Sequence, residues 1–248
     1  MGRMSARRWI VLLAAVALAG LTARLGFWQL DRAAQKEGLQ AAIDSRRVLP
    51  PLAADALARD ERQAAEQHHR LVELRGRWLP QHTVFLENRQ MQGRPGFFVL
   101  TPLLLPDGSA VVVQRGWVPR DIRDRTLVQA PALPDGEIRL EARIAPPPAR
   151  LYEFDEGATG LIRQNLLLPG YALETGLRLR PLSVMQLSPA APPGGAAPAA
   201  DGLAREWPAP AADVHKHYGY AFQWFALCAL TILLYVWFQV LRPNRRPA

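Results

Sequence analysis

The stretch YAFQWFALCALTILLYVWFQVL, residues 220–241, contains no charged residue and decides the architecture of this chain. A helix rising about 1.5 Å per residue needs roughly 20 apolar residues to cross the hydrocarbon core of a bilayer. Amphipathic aromatic residues lie near both ends of the stretch, as at a membrane interface: Tyr220, Trp224, Tyr235 and Trp237. We therefore predict a transmembrane helix over residues 219–241.

A second apolar stretch, WIVLLAAVALAGLTARLGFWQL at residues 9–30, is interrupted only by Arg24. It has a competing interpretation as a cleaved signal peptide, because arginines precede it and Ala17-Leu18-Ala19 resembles a cleavage site. The apolar character continues beyond that site, however, and passes into helix-compatible residues 31–47. A cleaved peptide needs no such continuation. We therefore predict a retained transmembrane helix over 9–30 that extends outward.

The distribution of charge predicts the orientation of the two spans. The chain carries 30 Lys and Arg against 22 Asp and Glu, but residues 31–218 carry 23 basic and 22 acidic groups. The excess comes from arginines near the two ends: Arg3, Arg7, Arg8, Arg24, Arg242, Arg245 and Arg246. The positive-inside rule places residues 1–8 and 242–248 in the cytoplasm. We predict a bacterial inner-membrane protein with a periplasmic central domain, whose near neutrality argues against nucleic-acid binding.

Small residues on the first span suggest how the two spans pack. Ala15, Ala19 and Ala23 recur every four residues, which forms a stripe that a second transmembrane helix can approach closely. Alanine is also abundant throughout this chain, so composition alone leaves both explanations open.

The pattern of the central segment changes from helical to β-rich along the chain. Residues 31–67 have helical composition, including the Ala-, Glu- and Arg-rich run 53–67. Short apolar runs separated by Pro and Gly then predict strands over 70–79, 83–89, 97–105, 110–118, 137–144, 161–168 and 179–187. They predict an antiparallel β domain within 70–187, barrel-like or sandwich-like, in an α+β membrane protein. The Pro-, Ala- and Gly-rich residues 188–213 predict a flexible tether.

Catalytic signatures are absent from the sequence. It contains no nucleophile elbow, zinc-protease helix, phosphate-binding loop or dinucleotide fingerprint, and we predict that the protein is not an enzyme. One cysteine, Cys228, excludes an intramolecular disulfide and a cysteine-rich zinc site. His68 and His69 are adjacent, so on a helix they point about 100° apart and form a poor metal pair.

Candidate ligand-binding residues lie at the outer ends of both spans. Helical spacing places His217 and Trp224 on one side of the second span. A neutral imidazole there could ligate a haem iron, or be an ordinary interfacial residue. Arg24, Trp28 and Arg32 recur every four residues on the first helix. They could bind haem propionates or lipid phosphates, or form a snorkelling and aromatic belt.

Two loop motifs of the β domain are candidates for contacts with a partner. Asn88-Arg89 precedes a glycine-rich turn, and Arg115-Gly116-Trp117 ends a predicted strand. Arg and Trp dominate interface hot spots, so an exposed corner of this composition suits a docking surface. The alternative is that Trp117 is a core or edge aromatic residue.

Four segments in this order resemble the Surfeit locus family of cytochrome c oxidase assembly proteins, the Shy-type proteins of yeast. They are GFWQLDRAAQKEGL (26–39), RGRWLPQHTVFLENRQMQGRPGFFVLTPLLLPDG (75–108), VVVQRGWVPRD (111–121) and HYGYAFQWF (217–225). The resemblance covers nearly the whole chain, apart from 53–67 and the tether.

The resemblance implies a non-enzymatic assembly factor that assists the delivery or insertion of haem a into the large catalytic subunit of a haem-copper oxidase. The family pattern H-x-x-Y-A places its implicated haem ligand on His217 rather than His215, and Gln29 then joins Arg24, Trp28 and Arg32 at the same boundary. The implied partners are the oxidase large subunit, the haem a synthase and membrane lipid. The alternative is a cofactor-free scaffold that docks oxidase subunits or the synthase.

Overall fold

A computed structural model describes residues 6–124, 127–129, 133–152, 160–191, 200–207 and 213–242. The chain divides into two compact units, one formed by Met1–Ala41 with Ala209–Ala248 and the other by Ala42–Pro208. Three of the arginines used to predict the orientation lie outside the described residues: Arg3, Arg245 and Arg246.

Two long helices dominate the first unit. Helix α1 spans Ala6–Arg47, and helix α4 spans Val214–Tyr235 before a π-helical segment, Val236–Leu241. Both are long and apolar enough to cross a membrane, and their most apolar windows are only 11% and 0% buried. The core helix of a soluble domain would be mostly buried instead. The predicted continuation of the first span as a helix to Arg47 is confirmed.

Contacts along α1 and α4 show that the two helices run antiparallel. The Sγ atom of Cys228 lies 3.4 Å from the carbonyl oxygen of Ala19, and Phe225 packs its ring edge-on to Phe27 with centroids 5.2 Å apart. At Gly26, an added Cβ would lie 2.7 Å from the Phe225 ring. The glycine therefore permits close approach, and Ala19 is the one alanine of the stripe with a described hydrogen-bond contact to α4.

The second unit is β-rich. Its eight strands are β1 (Leu52–Ala53), β2 (Leu71–Trp78), β3 (Val84–Met91), β4 (Arg94–Leu104), β5 (Ala110–Pro119), β6 (Glu137–Ala145), β7 (Ile162–Arg163) and β8 (Leu179–Gln186). Two short helices complete it, α2 (Glu61–Gln67) and α3 (Leu168–Thr175). Six of the seven predicted strands match an observed strand along most of their length.

The strands form one mixed sheet in the order β1-β2-β6-β8-β5-β4-β3-β7, and β2 also pairs with β4. The pairings of β2, β6, β8, β5 and β4 therefore close into a cycle. The prediction of a purely antiparallel domain is wrong, because β5 pairs with β8 in parallel, as do β1 with β2 and β3 with β7. The long connection between β5 and β8 supplies the crossover that parallel pairing requires.

The core lies on the inward face of this cycle. Strand β2 alternates as predicted, with Val72, Leu74, Gly76 and Trp78 buried. Strand β5 is different, because every residue from Ala110 to Trp117 is buried. A strand covered on both faces reads as a continuous apolar run, which the AVVV of its first half already shows.

The predicted helix over 53–67 is confirmed in part, because the helical residues form two short elements rather than one. Only a 3₁₀ turn at Ala54–Ala56 and the seven residues of α2 are helical there. The Asp60 carboxylate accepts a hydrogen bond from the backbone N–H of Gln63 at 2.9 Å, which caps the helix at its start. Leu57 and Ala58 are buried in the core, so packing breaks the helix that their composition favours.

The predicted strand over 161–168 is mostly wrong. Only the two residues of β7 pair with the sheet, and helix α3 begins at Leu168. Pro169 lies in the first turn of α3, where its missing N–H costs nothing, and Gly176 ends the helix with a φ of 69°.

The predicted tether over 188–213 is partly ordered. Residues 192–199 and 208–212 of it lie outside the described residues, but residues 200–207 pack on the sheet. Ala204 and Trp117 exchange two backbone hydrogen bonds of 2.8 and 3.0 Å, and the Trp207 indole N–H donates to the carbonyl of Gln186 at 2.9 Å. We name residues 200–207 the clasp segment. Its Leu203 and Trp207 supply the apolar contacts that the surrounding Pro- and Ala-rich sequence lacks.

Candidate functional site

The candidate site of the helical unit is built around one histidine. His217 lies in the first turns of α4, and its Nδ1 is 2.7 Å from the Oε1 atom of Gln29 on α1. Because an amide oxygen can only accept, Nδ1–H is the donor of this hydrogen bond. In a neutral imidazole this geometry leaves the lone pair on Nε2, the arrangement that second-shell partners impose on metal-ligating histidines.

The packing of both helices explains why these two side chains meet. The buried positions of α1 recur every three or four residues, at Thr22, Gly26, Gln29 and Ala33, so Gln29 lies on the face toward α4. On α4, His217 is followed one turn later by Ala221, which is 2% exposed. The small Ala221 side chain leaves room beside the imidazole, and Trp224 is half-buried a further turn along.

The predicted cations of α1 are not brought to the histidine. Arg24 and Arg32 are exposed, and Trp28 is 53% exposed. The Arg32 guanidinium donates to the Gln35 side chain at 2.8 Å rather than to a group on α4. Of the six predicted cofactor-binding residues, the structure therefore joins only His217 and Gln29 directly.

A second polar contact between the helices was not predicted. The Tyr218 hydroxyl donates to the Glu37 carboxylate at 2.9 Å. Tyr218 is adjacent to His217, and Glu37 lies two turns beyond Gln29, so the bond holds the same end of the pair. The GFWQLDRAAQKEGL segment contains the signal, because Gln29 and Glu37 are eight residues apart on one side of a helix.

The donor set suits a haem iron better than a free metal ion. No group of three or more His, Cys, Asp or Glu side chains that could hold a metal occurs among the described residues. An iron porphyrin brings its own donor nitrogens, so one imidazole from the protein could hold it. His217 would hold the iron through Nε2, and Gln29 would orient the ring.

The predicted docking corner of the β unit is not a surface. Arg89, Arg115 and Trp117 are 6%, 2% and 5% exposed. The Trp117 indole N–H donates to the carbonyl of Arg89 at 3.0 Å. The Arg89 guanidinium donates to the carbonyls of Ala149 and Gln164, both at 2.9 Å. Arg89 therefore braces two loops from inside.

Arg115 and Gly116 are enclosed by the clasp segment. The Arg115 guanidinium lies 5.4 Å from the Trp78 ring centroid and 3.9 Å from the Asp201 carboxylate. A Cβ on Gly116 would meet the Leu203 Cβ at 2.7 Å. Of the predicted partner-binding residues, only Asn88 is exposed, on a β-bulge with a φ of 58°.

A sequence signal could have revealed this burial. The four apolar residues at 110–113 indicate a strand covered on both faces, and Arg115 and Trp117 continue that strand. Burial lowers the pKa of Arg115 to about 10, and the Asp201 carboxylate opposes the shift. The group stays charged at neutral pH.

The two candidate membrane-spanning helices and the mixed β sheet define a membrane-associated protein. Its candidate site is one imidazole, held by a glutamine amide between the two helices. The profile of the SURF1 family matches residues 16–229. The chain belongs to this family.

Several named relatives align with part of the chain. A SURF1-like protein of Rickettsia felis is 30% identical over 95 residues, which cover 38% of this chain and 39% of the relative. The cytochrome oxidase assembly protein SHY1 of Saccharomyces cerevisiae is 30% identical over 95 residues, which cover 38% of this chain and 24% of the yeast protein. A SURF1-like protein of Rickettsia conorii is 28% identical over the same length. The aligned region thus spans less than half of each relative.

Proposed function

We propose that this protein is an assembly factor for a haem-copper cytochrome c oxidase, and that its helix pair holds haem a through His217 for delivery to the large catalytic subunit. Membership of the SURF1 family and the name of the yeast relative support the role in oxidase assembly. The hydrogen bond of 2.7 Å between Gln29 and His217 is the observation that carries the haem assignment.

The residues act by binding and orientation rather than by catalysis. The Gln29 amide accepts a hydrogen bond from Nδ1 of His217, so that Nε2 is the ring nitrogen available as a ligand. The Tyr218–Glu37 hydrogen bond holds the two helices together at the same end. Bound haem would supply the iron centre that the oxidase needs, and one protein ligand allows it to be released more readily than two would.

The polar residues of α1 then have a distinct role. Arg24, Trp28 and Arg32 are exposed beside Gln29, and Arg32 would exchange its hydrogen bond to Gln35 for a ligand carboxylate. Guanidinium groups suit the carboxylates of a haem because they bind planar anions in a bidentate manner. We place these three residues, with Trp224, around the ligand.

A spectrum of the purified protein tests the haem proposal. The full chain is purified in detergent from cells that make haem a, and its absorption spectrum is recorded. We expect a haem spectrum in the wild type and its loss in His217→Ala. His215→Ala is the matched control, because His215 is exposed two residues away on the same helix. A wild type without haem, or equal haem in both variants, would refute the ligand assignment.

The partners are proposed to be the oxidase large subunit and the haem a synthase, within the bacterial inner membrane. Asn88 is the one predicted docking residue that remains exposed. A photo-crosslinking residue at position 88 should capture one of these partners, whereas the same residue at Leu173, exposed on α3, should not. Equal capture at both positions would contradict a docking role for Asn88.

A further inference from the structure

Basic side chains converge on one outward face of the β unit, where the last turn of α1 meets the beginning of β2 and the end of β6. We name this group the cationic cluster. It comprises six residues: Arg46, Arg47, His68, His69, Arg70 and Arg143. All six lie in the unit formed by residues 42–208.

Hydrogen bonds hold the segments of the cluster together. The Arg46 guanidinium donates to the carbonyl of His68 at 2.5 Å. The backbone N–H of His69 donates to the carbonyl of Ile144 at 2.8 Å, and the N–H of Ile144 donates to the carbonyl of Arg70 at the same distance. The proximity of the basic groups is therefore imposed by helix and sheet contacts.

The basic groups of the cluster also influence one another electrostatically. Burial lowers the pKa of His69, and the charges of Arg143, His68 and Arg46 lower it further. Burial and Arg46 lower the pKa of His68. Burial lowers the pKa of Arg143, and Arg47 adds to the shift. Like charges at this spacing repel, which costs folding free energy.

The cluster has no matching negative charge in the described part of the chain. No ion pair there joins any of the six side chains to a carboxylate. Glu73 and Glu141 face each other on β2 and β6, two positions along the ladder from Arg143, and both interact with Arg139. Asp44 lies on α1 and Glu66 on α2, the remaining carboxylates of the elements that meet here.

Two of the guanidinium groups are poorly satisfied. Arg143 is half-buried, and its Nη2 donates to the thioether sulfur of Met185 at 3.3 Å. A thioether is a weak acceptor. Arg70 donates to the carbonyl of Pro50 at 2.8 Å, but its Nε is buried without a partner. The helix dipole at the end of α1 accounts for Arg46 and Arg47, but not for Arg143 or the histidines.

We propose that the cationic cluster binds a phosphate-type dianion, either a soluble phosphate compound or the headgroup of a phospholipid. Arg143 and Arg46 supply charge-assisted hydrogen bonds from two sides. Burial and the neighbouring cations lower the pKa of His68 and of His69, and a bound anion offsets the cations' share of this shift, which favours protonation of both side chains. Binding therefore takes up protons.

Inorganic pyrophosphate is the first probe. The full chain, in nanodiscs of zwitterionic lipid, is titrated by calorimetry at constant ionic strength. We expect saturable binding that weakens roughly tenfold or more in Arg143→Gln, because a hydrogen bond to a charged group is lost. Arg62→Gln is the control, since it removes one exposed positive charge outside the cluster. Equal weakening in both variants would show non-specific attraction and overturn the proposal.

Proton uptake distinguishes a site from a merely basic surface. Titrations near pH 6.5 in two buffers of different ionisation enthalpy should reveal uptake in the wild type. The double variant His68→Gln with His69→Asn should still bind but take up fewer protons. Asn is chosen at position 69 because it tolerates the φ of 71° there.

A second experiment distinguishes a lipid headgroup from a soluble phosphate compound as the bound anion. Zwitterionic nanodiscs are compared with nanodiscs containing phosphatidylglycerol, and the melting temperature is measured for wild type and Arg143→Gln. An increase that Arg143→Gln abolishes, without binding of pyrophosphate, identifies a lipid headgroup. Binding of pyrophosphate identifies a soluble anion. If neither probe has an effect that depends on Arg143, the proposal is wrong.

Discussion

Arg115 is a cation inside the sheet, and its surroundings are only partly complementary to it. Its Nε and Nη1 atoms are buried without a hydrogen-bond partner, and its ion pair with Asp201 is 3.9 Å long. Asp201 also pairs with Arg205 of the clasp segment. One carboxylate therefore balances two guanidinium groups in a desolvated place, so the two partners should differ in their contribution to stability.

We predict that Asp201→Asn is far more destabilising than Arg115→Met. The first variant leaves two buried guanidinium groups without a counter-charge, which costs roughly 3–5 kcal/mol. The second removes a desolvated cation along with its unpaired N–H groups and should change the free energy of unfolding by about 1 kcal/mol or less. Urea unfolding of the full chain in nonionic detergent measures both. Equal costs would contradict this asymmetry.

Asp107 organises the turn between β4 and β5. Its Oδ1 accepts from the Ser109 hydroxyl at 2.6 Å and from the Ser109 N–H at 3.0 Å, and its Oδ2 is 2.6 Å from the Arg180 guanidinium. The bonds from Ser109, assisted by the charge of Arg180, hold the pKa of Asp107 below its ordinary value. The ionised form is thus favoured in the folded state.

The resulting stabilisation should depend on pH. A carboxyl group whose pKa is lower in the folded than in the unfolded state stabilises the folded protein. The contribution is complete above the pKa of the unfolded state, about 3.9, and is lost as the pH falls through the pKa of the folded state. We therefore expect Asp107→Asn to reduce the free energy of unfolding at pH 7 and much less at pH 2.5. Urea unfolding at both pH values measures this difference. A difference that is constant with pH would rule out the ionised carboxylate as its cause.

At the scale of elements, the α1–α4 pair depends on small residues at the crossing. Gly26 is the closest point, because the Phe225 ring occupies the space that a Cβ would need. Gly20, six residues earlier on the same helix, has no atom within 4 Å of such a Cβ. The two glycines form a matched pair for testing the packing.

We predict that Gly26→Leu separates the helices and that Gly20→Leu does not. The reporter is a disulfide between the native Cys228 and a cysteine at Ala19, whose carbonyl lies 3.4 Å from the Cys228 sulfur. Mild oxidation should crosslink Ala19→Cys efficiently in the Gly20→Leu background and poorly with Gly26→Leu. Similar yields in both backgrounds would show that the pair tolerates a side chain at Gly26.

The clasp segment and β5 form a second junction that depends on a glycine. At Gly116 an added Cβ would lie 2.7 Å from the Leu203 Cβ and 2.8 Å from the Ala204 carbonyl oxygen. A side chain at this position must displace either β5 or the clasp segment. Strand β5 is held by β4 and β8, so the clasp segment should give way.

We predict that Gly116→Ala exposes the backbone of the clasp segment. The amides of Trp117 and Ala204, which bond to each other's carbonyls, should exchange with deuterium at least tenfold faster, since each 1.4 kcal/mol of lost local stability is a factor of ten. Gly170→Ala on α3 is the control, because nothing lies within 4 Å of its Cβ. Unchanged exchange at Ala204 would mean that the segment is held independently of Gly116.

At the scale of the whole molecule, charge and hydrophobicity are separated along the chain. The two candidate spans are nearly free of charge, the terminal arginines supply most of the net +8, and residues 31–218 are almost balanced. Positive charge resists translocation, so the two ends should remain on the same side of the membrane.

We predict that both termini are cytoplasmic and that the β unit is periplasmic. Alkaline phosphatase, which is active only outside the cytoplasm, should be active when fused after residue 191 and inactive when fused after residue 248. The enzyme inserted before residue 6 should also be inactive. Phosphatase activity of the fusion after residue 248 would contradict this orientation. If that fusion becomes active only when Arg242, Arg245 and Arg246 are replaced by Gln, these charges determine the orientation.

The sequence by itself determined the features that depend on short segments. The length and apolarity of 9–30 and 220–241 indicated two candidate spans, and the helix to Arg47 followed from composition. Alternation and Pro or Gly punctuation located most strands of the sheet. These properties reside in neighbouring residues, so a local pattern is enough to reveal them. His217 was singled out by the resemblance of HYGYAFQWF to the Surfeit locus family, since the local pattern alone left an ordinary interfacial residue open as the alternative.

Only the tertiary structure decided which side chains meet and which are buried. Gln29 and His217 are separated by 188 residues, and their contact depends on the antiparallel packing of α1 on α4. Arg115 and Trp117 resembled an exposed corner, but the clasp segment covers them from a stretch whose composition predicted disorder. Burial and pairing depend on groups contributed from distant parts of the chain, and a local pattern carries no information about those groups.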